Sequence, residues 1–209
     1  DFISFLQEAA EGIENIKWVG TPQQLNELEM DDVEFTPNST DEPAYLQFTS
    51  GSTRFPQGVL ISERAIMGNL QGIVRSSLAV REGDRCASWL PFYHDMGLVG
   101  FVLGPIVSQL SVDYIRTRDF AIRPLQWLRL ISRNVCTIAF SPPFGFELCA
   151  RRVREADFAE LDLSKWRVAG VGAEMIRPSI LENFASVLAP AGFNPKAFLP
   201  CYGLAEASL

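Results

Sequence analysis

In Tyr45-Leu46-Gln47-Phe48-Thr49-Ser50-Gly51-Ser52-Thr53-Arg54-Phe55-Pro56-Gln57-Gly58-Val59-Leu60, an apolar run ends in a cluster of hydroxyls and a second apolar run begins after Gly58. Four hydroxyl side chains, Thr49, Ser50, Ser52 and Thr53, surround Gly51. Glycine lets the backbone turn without a Cβ penalty and approach a ligand closely. Successive backbone N–H groups in such a turn form a concave anion site, and the hydroxyls add donors around it. A polyphosphate fits that chemistry. The plainer reading is a polar hairpin turn, since Ser, Thr and Gly clusters between strands commonly are one. A Walker A loop is excluded because no Gly-Lys-Ser/Thr follows at the required spacing. A dinucleotide fingerprint is excluded because no G-x-G-x-x-G opens a helix here.

Working outward, short β-like runs fall at 44–48, 59–62, 86–90, 111–115, 137–140, 166–171 and 197–199. Helix-like segments lie near 63–78, 96–108, 124–133, 143–154 and 177–188. Strands separated by helices of this length predict an α/β fold, a largely parallel sheet flanked by helices. The runs at 44–48 and 59–62 are separated only by the hydroxyl loop and could instead pair as a hairpin. Towards the amino terminus, Phe2, Phe5, Leu6, Ala9 and Ala10 fall at helical spacing, and Ile16 to Val19 reads as a short strand. Residues 21–43 are acidic and carry Pro22, Pro37 and Pro43, which reads as an irregular connector. Residues 1–43 are therefore expected to belong to the same domain as the α/β body at 44–209.

Parallel α/β sheets collect ligands beyond the carboxyl ends of their strands. The hydroxyl loop follows 44–48, His94 follows 86–90, Glu174 follows 166–171, and Tyr202 to Glu206 follow 197–199. Separate segments should thus converge on one rim.

Composition sets further bounds. At 209 residues the chain can bury one large core, and 47% hydrophobic with 21% charged residues is ordinary for a globular protein. A net charge of −7 argues against non-specific nucleic-acid binding. Arg151, Arg152 and Arg154 form a local basic group, best read as a solvated helix end. Cys86, Cys136, Cys149 and Cys201 show no C-x-x-C pair and read as buried free thiols. With a single histidine, His94, a His-rich metal cluster is impossible, and no G-x-S-x-G elbow supplies a hydrolase nucleophile. The longest apolar run, Met96 to Val107, is 12 residues with three glycines and a proline, too short to span a bilayer. The amino terminus is acidic and amphipathic rather than signal-like, so a cytoplasmic location is expected.

Three further segments complete a pattern. Trp89-Leu90-Pro91-Phe92-Tyr93-His94-Asp95-Met96-Gly97-Leu98, Val171-Gly172-Ala173-Glu174 and Cys201-Tyr202-Gly203-Leu204-Ala205-Glu206 follow the hydroxyl loop in order. Together they resemble the signature elements of the adenylate-forming superfamily, and the His-Asp-Met-Gly-Leu element is most like that of the fatty acyl-AMP ligase branch.

That resemblance implies ATP-dependent activation of a fatty acid to acyl-AMP, with ATP and Mg²⁺ required. The acyl group would then pass to an acyl-carrier-protein thiol, or alternatively to coenzyme A. Thr49, Ser50, Gly51, Ser52, Thr53 and Gly58 would hold the phosphates. Gly172, Ala173, Glu174, Tyr202, Gly203, Leu204 and Ala205 would form the adenine site, although a buried tyrosine and a tight turn are the structural alternative. Glu206 would be the Mg²⁺-associated carboxylate, chemically sensible because Mg²⁺ takes one or two carboxylates plus phosphate oxygens. His94 would position the acyl carboxylate; a lone histidine is otherwise more often structural. Met96 to Val107 could line an acyl tunnel, though core packing accounts for most of it. Arg54 and Gln57 depart from the family loop, which commonly has glycine and lysine there, and Arg is no simple replacement for Lys. A ribose-binding aspartate, a hinge and a mobile domain with a catalytic lysine are expected beyond Leu209, so this stretch by itself is expected not to turn over. A non-catalytic nucleotide-binding domain is the competing function.

Overall fold

The apolar runs from residue 85 onward become a five-stranded parallel sheet. The computed structural model describes residues 2–14, 16, 18–29, 37, 39–49 and 55–208. Its strands are β1 (Pro43–Phe48), β2 (Gly58–Ser62), β3 (Arg85–Ser88), β4 (Ser111–Tyr114), β5 (Ile138–Ser141), β6 (Val168–Val171) and β7 (Phe198–Pro200). The parallel sheet runs β4-β3-β5-β6-β7. Val168 to Val171 are buried at every position, as expected of a central parallel strand covered on both faces. β1 and β2 form a separate antiparallel pair, with Leu46 opposite Leu60 and Phe48 opposite Gly58, so the hairpin alternative is the one adopted.

The helices of the amino-terminal stretch are α1 (Phe2–Ala10) and α2 (Pro22–Asn26). Those accompanying the strands are α3 (Glu63–Gln71), α4 (Asp95–Leu98), α5 (Gly104–Ser108), α6 (Thr117–Ile122), α7 (Leu125–Arg133), α8 (Pro143–Arg152) and α9 (Pro178–Leu188). In α7, Trp127, Leu128, Leu130 and Ile131 are buried, the single apolar stripe that packs a helix on a sheet. A run of contacting aromatic rings passes through the core around the parallel sheet. Phe146 lies edge-on to Phe184 at 5.1 Å, and Trp89 stacks on Phe120 at 3.8 Å. The edge-on arrangement of Phe146 and Phe184 suits the ring quadrupoles.

Two helical stretches change pitch. After α3 the chain continues as a π-helix over Gly72–Ser77, and between α4 and α5 as a π-helix over Val99–Leu103. The expected helices at 63–78 and 96–108 are therefore each composite.

At the amino ends of the strands, Asp84 accepts from Arg167 Nε at 2.8 Å and pairs with Arg167 Nη2, while Thr137 Oγ1 donates to it at 2.7 Å. The Asp84 side chain is only 2% exposed. Burial alone would raise its pKa, but the bonds from Arg167, Thr137 and the Arg81 amide outweigh that and hold it down to about 2. This network ties β3, β5 and β6 together at the end opposite their carboxyl-terminal rim.

The chain divides into two compact units, Asp1–Asn38 and Ser39–Leu209. In the first, Thr21 and Gln24 form a reciprocal capping box on α2, and Gln7 Nε2 donates to Val19 O at 3.0 Å. Of the strand expected at Ile16 to Val19, Ile16, Trp18 and Val19 have no regular structure, since no described neighbour supplies a ladder to pair with, and Lys17 lies outside the described residues. Part of the expected irregular connector is helical, namely α2. All four cysteines are free, with Cys86, Cys136 and Cys149 buried. Burial pushes the Cys86 and Cys136 thiols up to about 12, so neither is a reactive thiolate. Arg151, Arg152 and Arg154 are exposed around the carboxyl end of α8, where cations suit the helix dipole. Among the described residues, no helix is long and apolar enough to cross a membrane.

Candidate functional site

A cavity of about 840 Å³ opens at the carboxyl ends of the strands. Thr49 after β1, His94 after β3, Ala173 and Glu174 after β6, and Tyr202 to Glu206 after β7 all line it. The expected convergence on one rim is present for these residues. Inward, the wall turns apolar, with Ile73, Phe101, Ile138, Phe140 and Leu199 contributing. The cavity thus joins a polar mouth to an apolar interior.

Thr49 stands where β1 ends. Its amide donates to Gln57 O at 2.9 Å, and its Oγ1 accepts from Gln57 N at 3.1 Å. These two bonds close the base of the hydroxyl loop, with Gly58 following as the first residue of β2. Ser50, Gly51, Ser52 and Thr53, and the departure at Arg54, lie outside the described residues. Gln57 spends its backbone on Thr49.

His94 is the cap residue of the short helix α4. Its Nδ1 lies 2.7 Å from Asp95 Oδ1, a separation that calls for a proton between them. The Met96 amide lies 2.7 Å from Asp95 Oδ1 and 3.2 Å from His94 Nδ1. A protonated Nδ1 cannot accept, so that amide belongs to Asp95. The hydrogen bond from His94 holds Asp95 below the usual carboxylate value, and the same bond raises His94. Behind them, Gln47 Nε2 donates to Asp95 Oδ2 at 3.3 Å. Gln47 Oε1 and the Tyr45 hydroxyl are buried without a described partner. Burial, and then the Asp95 charge, raise the Tyr45 phenol. Tyr45, Gln47 and Thr49 share one face of β1 by the two-residue period of a strand. That alternation was the signal by which Gln47 and Tyr45 could have been found; Asp95 followed directly from its neighbour.

The β6 exit is tight. A Cβ on Gly172 would sit 2.5 Å from Cys201 O, so glycine is needed there for the close approach of the β6 and β7 ends. Ala173 holds a left-handed backbone with φ of 67°, a costly conformation for alanine that recurs at functional turns. Glu174 Oε1 accepts from Phe144 N at 2.9 Å, satisfying an amide in the first turn of α8. Glu174 therefore lines the cavity while serving a structural bond. Tyr202 is 84% exposed, so its ring is available to a flat ligand and the buried-tyrosine alternative is set aside. Gly203 and Leu204 continue past it, Ala205 is buried, and Glu206 is exposed with no hydrogen bond or ion pair among the described residues. One free carboxylate at a polar mouth suits Mg²⁺, which keeps waters and shares phosphate oxygens. No cluster of three or more His, Cys, Asp or Glu side chains that would hold a metal occurs among the described residues.

The chain belongs to the family of AMP-binding enzymes, which it matches over residues 5–209. It superposes over all of its length on 37% of a solved chain from a study of fatty acyl-adenylate ligases of E. coli and L. pneumophila, with a TM-score of 0.88 and 51% identity. Over 81% of its length it is 54% identical to a Caulobacter vibrioides protein provisionally named an acyl-CoA synthetase. Over an equal share, 81%, it is 40% identical to a Teredinibacter turnerae medium-chain-fatty-acid–[acyl-carrier-protein] ligase. It spans 30% and 26% of those two relatives' lengths.

Proposed function

We propose that the full-length gene product activates a fatty acid with ATP, forming acyl-AMP and pyrophosphate, and then transfers the acyl group to an acyl-carrier-protein thiol. The observation that carries this reading is that Thr49, His94, Glu174, Tyr202 and Glu206 share one cavity with an apolar interior. A nucleotide needs the first set of groups and an alkyl chain the second.

In the adenylation step a carboxylate oxygen attacks the α-phosphorus. The bond from that phosphorus to the bridging oxygen breaks, and its electron pair leaves with pyrophosphate. Both reactants are anionic, so catalysis rests on positioning and on neutralising charge. Thr49 and the loop it closes would donate to the outgoing phosphates. Tyr202 would stack on adenine beside the Gly172–Ala173 turn, which Glu174 braces through α8. His94, held by Asp95, would orient the acyl carboxylate. Glu206 would hold Mg²⁺, which when bound supplies positive charge at the phosphates. Free buried thiols support a reducing, cytoplasmic setting.

The name of the Caulobacter relative favours coenzyme A as the second reading for the acceptor. The test is fatty-acid-dependent ATP–pyrophosphate exchange by the full-length gene product, followed by mass measurement of acyl carrier protein and coenzyme A offered together. Exchange that is lost in Glu206→Gln at unchanged melting temperature, with acylated carrier protein as product, is expected. Absence of exchange with any fatty acid overturns the reading.

A further inference from the structure

The segment from α4 to α5 contains three glycines, and the fold explains two of them. A Cβ on Gly97 would sit 2.1 Å from Pro91 O, and one on Gly104 would meet Val99 O at 3.1 Å. Gly100 is different. A Cβ there would meet no described atom within 4 Å, and its backbone is helical, outside the left-handed region that would require glycine. Glycine inside a helix is costly relative to alanine, so its use at Gly100 calls for another reason. Gly68 and Gly72 are also sterically free, but both are exposed. Gly100 is partly buried and lines the cavity.

The helical pitch points the same way. The two π-helical segments among the described residues, Gly72–Ser77 and Val99–Leu103, both line this cavity, the first through Ile73, Val74 and Ser77 and the second through Gly100 and Phe101. π-turns within helices recur at functional sites. Cys86, Ile138 and Phe140 of the sheet also line it.

We propose that Gly100 is the specificity-determining position for acyl chain length. The empty volume beside it is the bore through which an unbranched alkyl chain passes to the sheet, and any side chain at 100 shortens the chain that fits. This rests on the adenylation reading above and names its substrate class: straight-chain acids long enough to run past Gly100. The open space around position 100 admits a larger side chain without moving the backbone.

The experiment compares wild type, Gly100→Ala and Gly100→Leu in the full-length gene product, using ATP–pyrophosphate exchange with butanoate and dodecanoate and thermal melting of each protein. In Gly100→Leu the ratio of kcat/KM for dodecanoate to that for butanoate is expected to fall by about tenfold or more, the scale on which apolar pockets discriminate methylene content. Gly100→Ala is expected to shift the ratio in the same direction by less, with no loss of melting temperature. An unchanged ratio in both variants overturns the proposal, as does equal loss with both acids at wild-type melting temperature. Should Gly100→Leu fail to fold, the Gly100→Ala ratio decides in the same way. Absence of exchange by wild type with either acid instead overturns the adenylation reading itself, which separates the two failures.

Discussion

Asp95 holds His94 through a 2.7 Å contact between Oδ1 and Nδ1, while its Oδ2 accepts from Gln47 Nε2 at 3.3 Å. One carboxylate thus fixes the histidine at the rim and ties it to β1. The proton on Nδ1 leaves Nε2 as the nitrogen free of Asp95. The hydrogen bond between them, and after it each partner's charge, accounts for the opposite shifts of the two groups.

The first prediction concerns pH. His94 is raised above 6.5 and Asp95 lowered below 3.8, so the pair is fully charged between those limits. Its stabilising contribution is lost as pH rises through the elevated His94 value, and lost again as pH falls through the depressed Asp95 value. Tyr45, also beside Asp95, stays neutral across this window because its phenol is raised. If cationic His94 orients the acyl carboxylate, exchange should decline on the alkaline side of that elevated value. In Asp95→Asn the decline should move to lower pH. A pH–rate profile of exchange checks this, and an unmoved alkaline limb would rule out the pairing as the cause.

Thr49→Ala removes the hydroxyl that closes the hydroxyl loop against Gln57. Loss of one hydrogen bond to a charged phosphate is worth about 1.5–3 kcal/mol. The KM for MgATP should rise on the order of tenfold or more, and Thr49→Ser should recover most of it. Steady-state kinetics at saturating fatty acid would show either result; wild-type ATP kinetics in Thr49→Ala would remove Thr49 from the nucleotide site.

Gly172→Ala places a methyl 2.5 Å from Cys201 O, where neither backbone can give way cheaply. Overpacking of this kind costs about 1–3 kcal/mol. The β6 and β7 ends should separate, lowering denaturation stability and nucleotide affinity together. A variant with weakened nucleotide binding but unaltered denaturation would assign Gly172 to ligand contact instead of packing.

Asp84→Asn keeps the shape of the side chain and deletes the charge that balances Arg167. Breaking a buried pair by removing one partner costs about 3–5 kcal/mol. Because the Asp84 pKa is lowered from 3.8 to about 2, its ionised form contributes about 2 kcal/mol above that range, lost as pH falls from 3.8 towards 2. Urea unfolding at several pH values should show a large loss near neutrality and a shallower acid slope in the variant. Equal stability of variant and wild type at pH 7 would mean that Asp84 does not hold the strand starts.

Most strands stand where their apolar runs predict, because burial on both faces writes itself locally as Val, Ile, Ala and Phe between glycines and prolines. What escaped was decided across the chain. The helix Thr117–Ile122 carries Arg118 and Asp119 and reads as loop; it is anchored by Phe120, 1% exposed and stacked on Trp89. The π winding has the same residue types as an α-helix and leaves no period of its own over so few turns. At the site, the order of motifs along the chain brought Thr49, His94, Glu174 and Tyr202 to one rim. The partners that set their state were not visible, since Gln47 reaches Asp95 across 48 residues and Glu174 reaches Phe144 across 30.

The strand order β4-β3-β5-β6-β7 turns the sheet into a ruler. His94 hangs from β3, the Gly172–Glu174 turn from β6 and Tyr202 from β7, while β5 stands between the first two. Neighbouring strands are spaced at a nearly constant interval, so the loops after β3 and β6, which on the proposed function would hold the acid and the base, are separated by about 10 Å regardless of what either loop contains. Each loop is then free to change its residues without altering the gap that the other must meet. On the proposed function, selection for a new acid could act on the β3 side, and on helix positions such as Gly100, while the nucleotide end would keep its calibration.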